Sequence, residues 1–498
     1  MSQTYETIIG LEIHVQLKTK SKLFCGCDNT GEEQPINTTI CPVCTGQPGV
    51  LPVPNQQAID WAVMAAMALD CRIPEFSKFD RKSYFYPDLP KGYQISQFDE
   101  PIGVDGRLTI QLGEHTHRVG ITRLHLEEDA AKLLHPEGKD YSIVDFNRAG
   151  TPLAEIVTEP DIRSPEEARV FLQELRLLTR HLGISDADME KGHLRCDANI
   201  SLRPAGEVTL SPKTEIKNLN SFRSVEHALA YEEKRQKELW DAGTPESAQS
   251  TRGWDERGGE TVLQRTKEES SDYRYFPEPD LPPLNFTNEY LRDIRARIPE
   301  LPFERRRRFA EQYGCRSADG EVFVHDRALG DYSEEVFSEL KAWALAKGVP
   351  WDSDGKSLTQ QAVNWLINRF QTILVAEKLT IAESRITPEN FAEFITIIDG
   401  GNVTNQAAQK LLEEMQRTGG DPSDLIEQLG LQQIDDADAL RRIVLKVIDE
   451  NPKVVQDYRN GKEIALKFLV GRVMAETRGK GNPQLIHTLL VEQLTAGR

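Results

Sequence analysis

The spacing of apolar residues changes near residue 290, and this change constrains the fold more than any other feature of the chain. Before it, short segments such as Thr7–Leu17 alternate apolar and polar residues between Gly and Pro, which is typical of half-buried strands. After it, apolar residues recur at helical spacing behind start signals such as Thr387-Pro388-Glu389. The sequence therefore predicts an α+β domain followed by all-α segments, with limits at 1–290, 291–350 and 351–498.

The charge balance and the apolar content exclude several classes of protein. The 498 residues include 60 Lys and Arg against 79 Asp and Glu, a formal net charge of −19. This acidity argues against a protein that coats nucleic acid non-specifically, since such a protein needs a basic surface. No apolar run approaches the roughly 20 residues of a membrane-spanning helix, and residues 1–12 contain no targeting segment. We therefore expect a cytoplasmic protein without a membrane partner.

Four of the seven cysteines fall within 20 residues, as Cys25-Gly26-Cys27 and Cys41-Pro42-Val43-Cys44. Two short Cys pairs can meet as two knuckles around a tetrahedral Zn²⁺, whereas an odd Cys count in a chain of this class argues against a disulfide framework. The spacing predicts a structural zinc site at Cys25, Cys27, Cys41 and Cys44. A redox pair and plain reduced thiols are the alternatives.

Polar side chains occupy positions on predicted strands where apolar residues are expected. Glu12 and His14 are two residues apart on one strand, so they share a face and lie about 7 Å apart along it. Glu155 stands in the otherwise apolar segment Pro152–Val157, where a lone carboxylate is costly unless it is paired or bound to a metal. Further candidates are Glu127, Glu128, Asp197 and Glu215, with His115, His117 and His125 as weaker ones.

Carboxylates and one His on several strands suit a hard cation such as Mg²⁺, which in turn engages substrate phosphates. For each residue alone, a solvated strand face is the alternative. The common nucleotide and nucleophile motifs are absent from the sequence: there is no Walker A loop, no Gly-x-Gly-x-x-Gly opening a helix and no Gly-x-Ser-x-Gly. If the protein uses ATP, it does so through a carboxylate–Mg²⁺ site on strands.

The end of the chain differs in charge from the rest. Residues 452–498 contain eight Lys and Arg against four acidic residues, a net charge of +4, which leaves −23 for the remainder. A basic terminal segment on an acidic body can hold a phosphate backbone at one place. A solvated helix face is the alternative.

Several long motifs resemble a single family, the B subunits of the bacterial-type aspartyl/glutamyl-tRNA amidotransferases. These motifs span the whole chain and are Gly10–Leu17, Lys78–Asp88, Tyr93–Gln97, Asp145–Pro152, Leu194–Asn199, Asp272–Asp280, Phe468–Gly471 and Gly481–Gln484. The resemblance implies a cradle-shaped catalytic domain with an antiparallel or mixed sheet, then an all-α helical domain and an all-α tail domain that contacts tRNA.

The resemblance also implies an activity and partners. The family uses ATP and Mg²⁺ to phosphorylate the side-chain carboxylate of Glu on the glutamine tRNA, or of Asp on the asparagine tRNA, and ammonia then displaces the phosphate. It is thus a carbon–nitrogen ligase with glutamine as nitrogen donor. The ammonia comes from a separate amidase (glutaminase) subunit, and a small third subunit completes the heterotrimer. The absence of an identifiable glutaminase nucleophile here agrees with this division.

Carried over residue by residue, the resemblance predicts three groups of site residues. The catalytic residues would be Glu12, His14, Glu127, Glu128, Glu155, Asp197 and Glu215, of which Glu12, His14, Glu128 and Glu155 would bind magnesium. Arg81 and Lys82 would hold phosphate or the aminoacyl carboxylate. Some family members bind zinc at positions matching the four cysteines, so we expect zinc here. A different carboxylate–metal enzyme, such as a phosphohydrolase, and a non-catalytic tRNA-binding scaffold are the competing hypotheses.

Overall fold

The structure is a computed structural model that describes residues 4–113, 115–267, 273–351 and 356–495. Asp272, the first residue of one family motif, and Arg498, one of the basic residues of the tail, lie outside the described residues. The chain divides into two compact units, Met1–Phe303 and Glu304–Arg498. The strands given below lie in the first unit, and the described part of the second unit is mostly helical.

The strands are β1 (Tyr5–Gln16), β2 (Phe76–Ser77), β3 (Asp80–Ser83), β4 (Tyr93–Ser96), β5 (Gly103–Leu112), β6 (His115–Glu128), β7 (Lys132–Leu134), β8 (Ile143–Asp145), β9 (Pro152–Thr158), β10 (Leu194–Pro204), β11 (Thr214–Leu219), β12 (Gln249–Asp255), β13 (Glu260–Lys267), β14 (Phe276–Pro277) and β15 (Leu284–Asn285). The helices of the first unit are α1 (Gln56–Ala68), α2 (Pro165–His181), α3 (Phe222–Asp241) and α4 (Asn288–Ala296), and α5 (Pro302–Tyr313) begins at its end.

The remaining helices are α6 (Ser317–His325), α7 (Arg327–Ala346), α8 (Lys356–Trp365), α9 (Gln371–Glu377), α10 (Pro388–Asp399), α11 (Asn405–Thr418), α12 (Pro422–Leu429), α13 (Ala437–Glu450), α14 (Pro452–Arg459), α15 (Ile464–Glu476) and α16 (Pro483–Thr495). Together with the strands, they confirm the predicted fold class: a mixed α/β unit with a multi-stranded sheet precedes a helical region. Within the described residues, no helix combines the length and the apolar character needed to cross a membrane.

Among the described residues, eight strands form one sheet in the order β13-β12-β11-β10-β1-β9-β6-β5. Neighbouring strands run antiparallel except β11 and β12, which are parallel, so the sheet is mixed. β1 lies near the centre, between β10 and β9. Because β1 has a neighbour on each side, its polar residues can lie beside polar residues of both β10 and β9.

The two faces of this sheet differ in chemistry. On β1, Leu11, Ile13 and Val15 are buried and belong to one hydrophobic core with residues of α1, α2 and α3. Because side chains alternate along a strand, Glu12 and His14 emerge on the opposite face. Burial of the apolar face therefore determines which residues are presented on the polar face.

Local signals set the starts of the helices that cover the apolar face. The Ser164 hydroxyl accepts a hydrogen bond from the Glu167 backbone N–H at 3.1 Å, and Pro165 occupies the first helical position of α2. The Ser221 hydroxyl caps α3 in the same way, accepting from Ser224 N–H at 3.0 Å. Such caps contribute about 1 kcal/mol each.

Within its described residues, the second unit contains two hydrophobic cores. One is built from residues between Phe309 and Leu431, and the other from residues between Leu440 and Leu494. Phe337 of α7 and Val363 of α8 belong to the same first core although position 350 lies between them. The division into three parts remains a prediction. Its limit at residue 350 falls between α7 and α8, which pack in the same core.

The arginine run of α5 is part of the packing of the second unit. Arg305 is buried and its Nη2 lies 2.6 Å from Asp331 Oδ1. Arg306 Nε lies 3.0 Å from Glu321 Oε1, and Arg308 Nη2 donates to Glu334 at 2.9 Å. These arginines join α5 to α6 and α7, so the basic run supports the fold.

Candidate metal and catalytic site

Three neighbouring strands bring His14, Glu155 and His125 into one row across the polar face. β9 lies between β1 and β6, and its Glu155 is opposite His14 on one side and opposite His125 on the other. Glu155 Oε2 lies 3.4 Å from His14 Nε2 and 3.1 Å from His125 Nε2. The row exists because two registers, that of β9 with β1 and that of β9 with β6, coincide at Glu155.

Glu127 of β6 completes this group. Its Oε1 lies 3.3 Å from His14 Nε2, and its Oε2 lies 3.7 Å from His125 Nε2. The Ser96 hydroxyl donates to Glu127 Oε2 at 3.2 Å. Glu127 and Glu155 are both buried, so two carboxylates and two imidazoles are held together with little access to water.

Burial and mutual pairing act in opposite directions on the pKa values of these groups. Burial alone would raise the pKa of Glu127 and Glu155, but the imidazoles of His125 and His14 hold both well below the ordinary value. Burial alone would lower the pKa of His14, but its hydrogen bonds to Glu127 and Glu155 raise it to about 10. The pKa of His125 is raised for the same reason, chiefly by the charge of Glu155 acting against burial. The group is therefore an array of ion pairs in which the imidazoles balance the carboxylates.

Glu12 lies one step further along β1 on the same face and differs from the other carboxylates. Its register partner on β10 is Asp197. Burial, followed by the charges of Glu155 and Asp197, raises the pKa of Glu12. Within the part of the chain that the structure describes, its carboxylate accepts no hydrogen bond. The charges of His14 and Lys217 act in the opposite direction, and a cation bound beside Glu12 would further favour its ionised form.

Two sets of potential metal ligands share Glu155. One set is Glu12, His14 and Glu155, and the other is His125, Glu127 and Glu155; in each set the ligand atoms all lie within 4.8 Å of one another. Carboxylate oxygens are the ligands that Mg²⁺ prefers, and a cation would offset the repulsion between the neighbouring Glu12 and Glu155 carboxylates. The residues present therefore fit a divalent cation, which would displace the protons of the imidazoles, because only a neutral imidazole is a ligand.

The structure places Glu128 apart from this group, on the opposite face of β6. Glu128 Oε1 accepts a hydrogen bond from the Ile95 backbone N–H at 2.9 Å and forms an ion pair with Lys91. Its neighbour Glu127 occupies the position that the resemblance gave to Glu128 among the magnesium ligands. His125 had the weaker sequence signal, and its alternation with Glu127 on one strand face was the clue to its place in the group.

Asp197 and Glu215 form a neighbouring group held by a lysine. Lys217 pairs with Asp197, and its Nζ lies 3.1 Å from Glu215 Oε1. The Thr251 hydroxyl donates to Glu215 Oε2 at 3.0 Å. These carboxylates are therefore already neutralised by protein groups, and Asp197 alone comes close to the first group, through its register with Glu12.

Arg81 and Lys82 are adjacent on β3 but face different partners. Arg81 donates two hydrogen bonds to Glu278, at 2.6 and 2.8 Å, so its guanidinium is engaged within the protein. Lys82 Nζ lies 5.3 Å from the centre of the Tyr273 ring. Burial opposes its charge, but Glu127 and Glu155 help to raise the pKa of Lys82 above the ordinary value. Lys82 is thus a protonated amine whose charge interacts favourably with those of Glu127 and Glu155.

A cleft of about 910 Å³ continues from Glu12 along the same face of the sheet. Its floor includes Gly10 and Glu12 of β1, Val157 of β9 and Asn199 of β10. The segments 210–213 and 247–249 form its other walls. The cleft has the size of a small-molecule site, and the carboxylate and imidazole group lies at its end.

The four cysteines between positions 25 and 44 come together in space. Their sulfur atoms all lie within 4.8 Å of one another, and the sulfurs of Cys41 and Cys44 are 3.9 Å apart. In a tetrahedral zinc site with Zn–S bonds of about 2.3 Å, sulfurs are separated by about 3.8 Å. The Cys41 backbone N–H donates to Cys44 Sγ at 3.2 Å, an arrangement that favours a thiolate. These residues fit a structural Zn²⁺.

Comparison with known proteins agrees with this arrangement. The family model described as the GatB/GatE catalytic domain matches residues 7–292, and the model described as the GatB domain matches residues 353–494. The chain belongs to the GatB family. The first match contains the candidate metal group and the four cysteines, and the second contains α8 to α15 and most of α16.

Curated GatB relatives match almost the full chain. A protein of Carboxydothermus hydrogenoformans is 48% identical over 493 residues, covering 98% of this chain and 99% of that protein. A Thermotoga maritima relative is 47% identical with coverage of 98% and 99%, and a Brevibacillus brevis relative is 45% identical with 99% of each chain covered. All three are named as the B subunit of an aspartyl/glutamyl-tRNA(Asn/Gln) amidotransferase.

Proposed function

We propose that this chain is the component of a tRNA-dependent amidotransferase that binds the misacylated tRNA and activates its aminoacyl side chain. Membership in the GatB family supports a tRNA-dependent amidotransferase function. The substrate is Glu on the glutamine tRNA, Asp on the asparagine tRNA, or both. The observation that carries the proposal is the row of His14, Glu155 and His125, with Glu127 and with Glu12, which lines the cleft.

The chemistry requires a carboxylate to attack the terminal phosphorus of ATP. Both reactants are anionic, so the main obstacle is electrostatic. Glu12, His14, Glu127 and Glu155, with His125, would hold Mg²⁺ in this site. The bound ion would screen the negative charge of the phosphates. The products of this step are an acyl phosphate and ADP, and ammonia then displaces inorganic phosphate and leaves the amide.

The cleft supplies a place for the nucleotide. Its Gly10 and Val157 floor suits the nucleoside, and its Glu12 end suits phosphates bound with a metal ion. Lys82 of β3 interacts electrostatically with Glu127 and Glu155, and Lys217 of β11 with Glu12. Lys82 orients the aminoacyl carboxylate or a transferred phosphate, because it is a cation that its neighbours keep protonated. Arg81 supports the site indirectly by fixing Glu278 against β3.

Ammonia would be supplied by a partner. We propose a heterotrimer with an amidase that hydrolyses glutamine and with a small third protein. The sequence has no recognisable glutaminase nucleophile motif, in agreement with a division of labour. The four cysteines would bind a zinc ion. Its role would be structural, because a closed four-thiolate site leaves no position for substrate.

The tail would contact the tRNA through one face of α15. Ile464 and Phe468 are exposed at 78% and 50% although both are large and apolar. Lys467 and Arg472 are exposed on the same helix. A basic helix face with an unburied aromatic ring suits RNA, since cations bind phosphates and the ring stacks on a base or ribose.

The test is reconstitution of the chain with its amidase and small partner proteins. Glu-tRNA and Asp-tRNA are supplied in separate reactions with ATP, Mg²⁺ and glutamine, and the aminoacyl group is identified after hydrolysis. We expect conversion to Gln or Asn and ATP consumption that depends on the misacylated tRNA. ATP consumption indifferent to tRNA, with no amide formed, would instead identify a phosphohydrolase. Binding of tRNA without either reaction would identify a non-catalytic scaffold.

A further inference from the structure

A lysine is buried beside the four-cysteine group. The side chain of Lys22 is 0% exposed, which places it among the largest fully buried side chains of the described residues. Its Nζ donates to the Thr39 carbonyl at 2.9 Å and to the Phe146 carbonyl at 3.4 Å, and it lies 3.7 Å from Cys44 Sγ. An ammonium group buried in this way is costly unless a negative charge balances it.

No carboxylate provides that balance within the described residues, since Lys22 takes part in no ion pair with Asp or Glu there. The negative charge nearest to it is therefore that of the cysteine group. Four thiolates around one Zn²⁺ carry a net charge of −2, and a buried group of that charge needs a cation as much as the lysine needs an anion. The Lys22 ammonium and the zinc–thiolate group would each offset the free-energy cost of burying the other.

We propose that Lys22 is the counter-charge of a four-thiolate zinc site and stabilises the metal-bound form by a hydrogen bond to Cys44 Sγ. This inference rests on the proposed zinc site and adds to it a residue outside the four ligands. Lys22 also ties the cysteine segment to the chain that enters β9. Its carbonyl acceptors lie on both sides, Thr39 within the cysteine segment and Phe146 in the loop before β9.

Glycine at position 150 fits this arrangement. Gly150 has a positive φ of +88°, and a Cβ there would lie 3.4 Å from the Cys44 Cβ and 3.5 Å from the Lys22 Cδ. The backbone therefore passes closely over the lysine stem and the ligand, which keeps water away from both. A dry environment strengthens the attraction between the ammonium and the metal–thiolate group.

The experiment measures metal binding by the full-length chain. Zn²⁺ affinity is determined by competition with a chromophoric chelator for wild type, Lys22→Met and Lys20→Met. Methionine is an unbranched, uncharged side chain one heavy atom shorter than lysine, and Lys20 is an exposed lysine two residues away. We expect Lys22→Met to lower the affinity by about tenfold or more and Lys20→Met to leave it unchanged. A loss in Lys22→Met no larger than that in Lys20→Met would overturn the inference.

A spectroscopic readout separates a role at the metal from general support of the fold. With Co²⁺ in place of Zn²⁺, the sulfur-to-cobalt charge-transfer band should move to lower energy in Lys22→Met, because loss of a nearby positive charge raises the energy of the sulfur electrons. An unchanged band argues against the proposed contact. A wild-type chain that binds no metal at the four cysteines would remove the zinc site and this role of Lys22 together, without affecting the tRNA-dependent activity.

A third measurement needs no variant, in case Lys22→Met does not fold. Wild-type chain is treated with an amine-reactive reagent before and after removal of the metal, and labelling is followed by mass spectrometry. Lys22 should be protected in the metal-bound protein and labelled several-fold faster after chelation, whereas Lys20 should react equally in both. Equal protection of Lys22 in both forms would show that its burial does not depend on the metal.

Discussion

His125 Nε2 lies 3.1 Å from Glu155 Oε2, and the two residues face each other across adjacent strands of the central sheet. The same carboxylate oxygen is 3.4 Å from His14 on the other side. One glutamate therefore links three strands, and both candidate metal sets depend on it. Substitutions at side chains around Glu155 and at their immediate neighbours in sequence test this arrangement.

Glu127 and Glu128 should differ in their effect on metal binding although they are adjacent. Glu127→Gln removes a carboxylate from the group around Glu155, so we expect Mn²⁺ or Mg²⁺ affinity to fall by roughly tenfold or more. Glu128→Gln removes the partner of Lys91 on the opposite face, so we expect a lower melting temperature with metal affinity nearly retained. Isothermal titration and thermal unfolding measure the two effects. Equal losses of metal affinity would contradict the assignment of the two faces.

Lys82 and Arg81 form a second matched pair. Lys82→Met should reduce tRNA-dependent amide formation by roughly 100-fold, because an electrostatic contact to the reacting groups is lost, while glutaminase activity of the complex persists. Arg81→Met should mainly lower the free energy of unfolding, by about 3 kcal/mol, because it leaves the buried Glu278 carboxylate unpaired. Single-turnover amidation and denaturant unfolding distinguish the two. A Lys82→Met chain with unchanged amidation would exclude Lys82 from the site.

The exposed face of α15 should carry part of the tRNA affinity. Replacing Lys467 and Arg472 by Glu should weaken tRNA binding and reduce its salt dependence by about two counterions. Phe468→Ala should cost roughly 1–3 kcal/mol of binding energy if a base stacks on the ring. Lys410→Glu, an exposed charge reversal on α11, is the control. Filter binding at several salt concentrations gives the result, and equal behaviour of the α15 variants and the control would refute this surface.

Glu232 should make stability depend on pH on the acid side. It is buried on α3, accepts a hydrogen bond from Thr261 at 2.9 Å and pairs with Arg235. Burial alone would raise the pKa of Glu232, but its hydrogen bonds and the charge of Arg235 lower it in the folded protein. A depressed folded pKa contributes stability above the unfolded value, and this contribution is lost as pH falls through the folded pKa.

Glu232→Gln should therefore lower the free energy of unfolding at neutral pH and flatten its decline between roughly pH 5 and pH 2. Chemical denaturation at several pH values measures both changes. Glu238→Gln, an exposed position on the same helix with a side chain 69% exposed, is expected to behave like the wild type. A variant at Glu232 with an unaltered pH profile would show that this carboxylate does not titrate with unfolding.

Local patterns in the chain were sufficient to predict much of the secondary structure. The alternation around Glu12 and His14 correctly predicts a strand with these residues on one face, and Thr387-Pro388-Glu389 correctly predicts the start of α10. These features depend on backbone conformation and on neighbours within a few residues, so the sequence expresses them directly.

Local sequence patterns predicted only part of the set of residues that form the site. Alternation separates the face of Glu127 from that of Glu128, but it does not say which face meets other polar strands. The answer depends on the position of β9 between β1 and β6. The paired strands β1 and β9 are more than a hundred residues apart in the sequence. The pairing of Arg81 with Glu278 spans 197 positions, whereas Lys82 interacts electrostatically with Glu127 and Glu155.

The amino-acid sequence by itself thus determined the family, the α+β-then-helical order and most of the candidate polar residues. Only the tertiary structure decided that His125 joins His14 at Glu155, that Glu128 faces Lys91, and that the arginines of α5 serve packing. The physical reason is that strand order and register are set by burial of the apolar sheet face against α1, α2 and α3. That burial is a property of the whole unit, and the polar contacts on the other face follow from it.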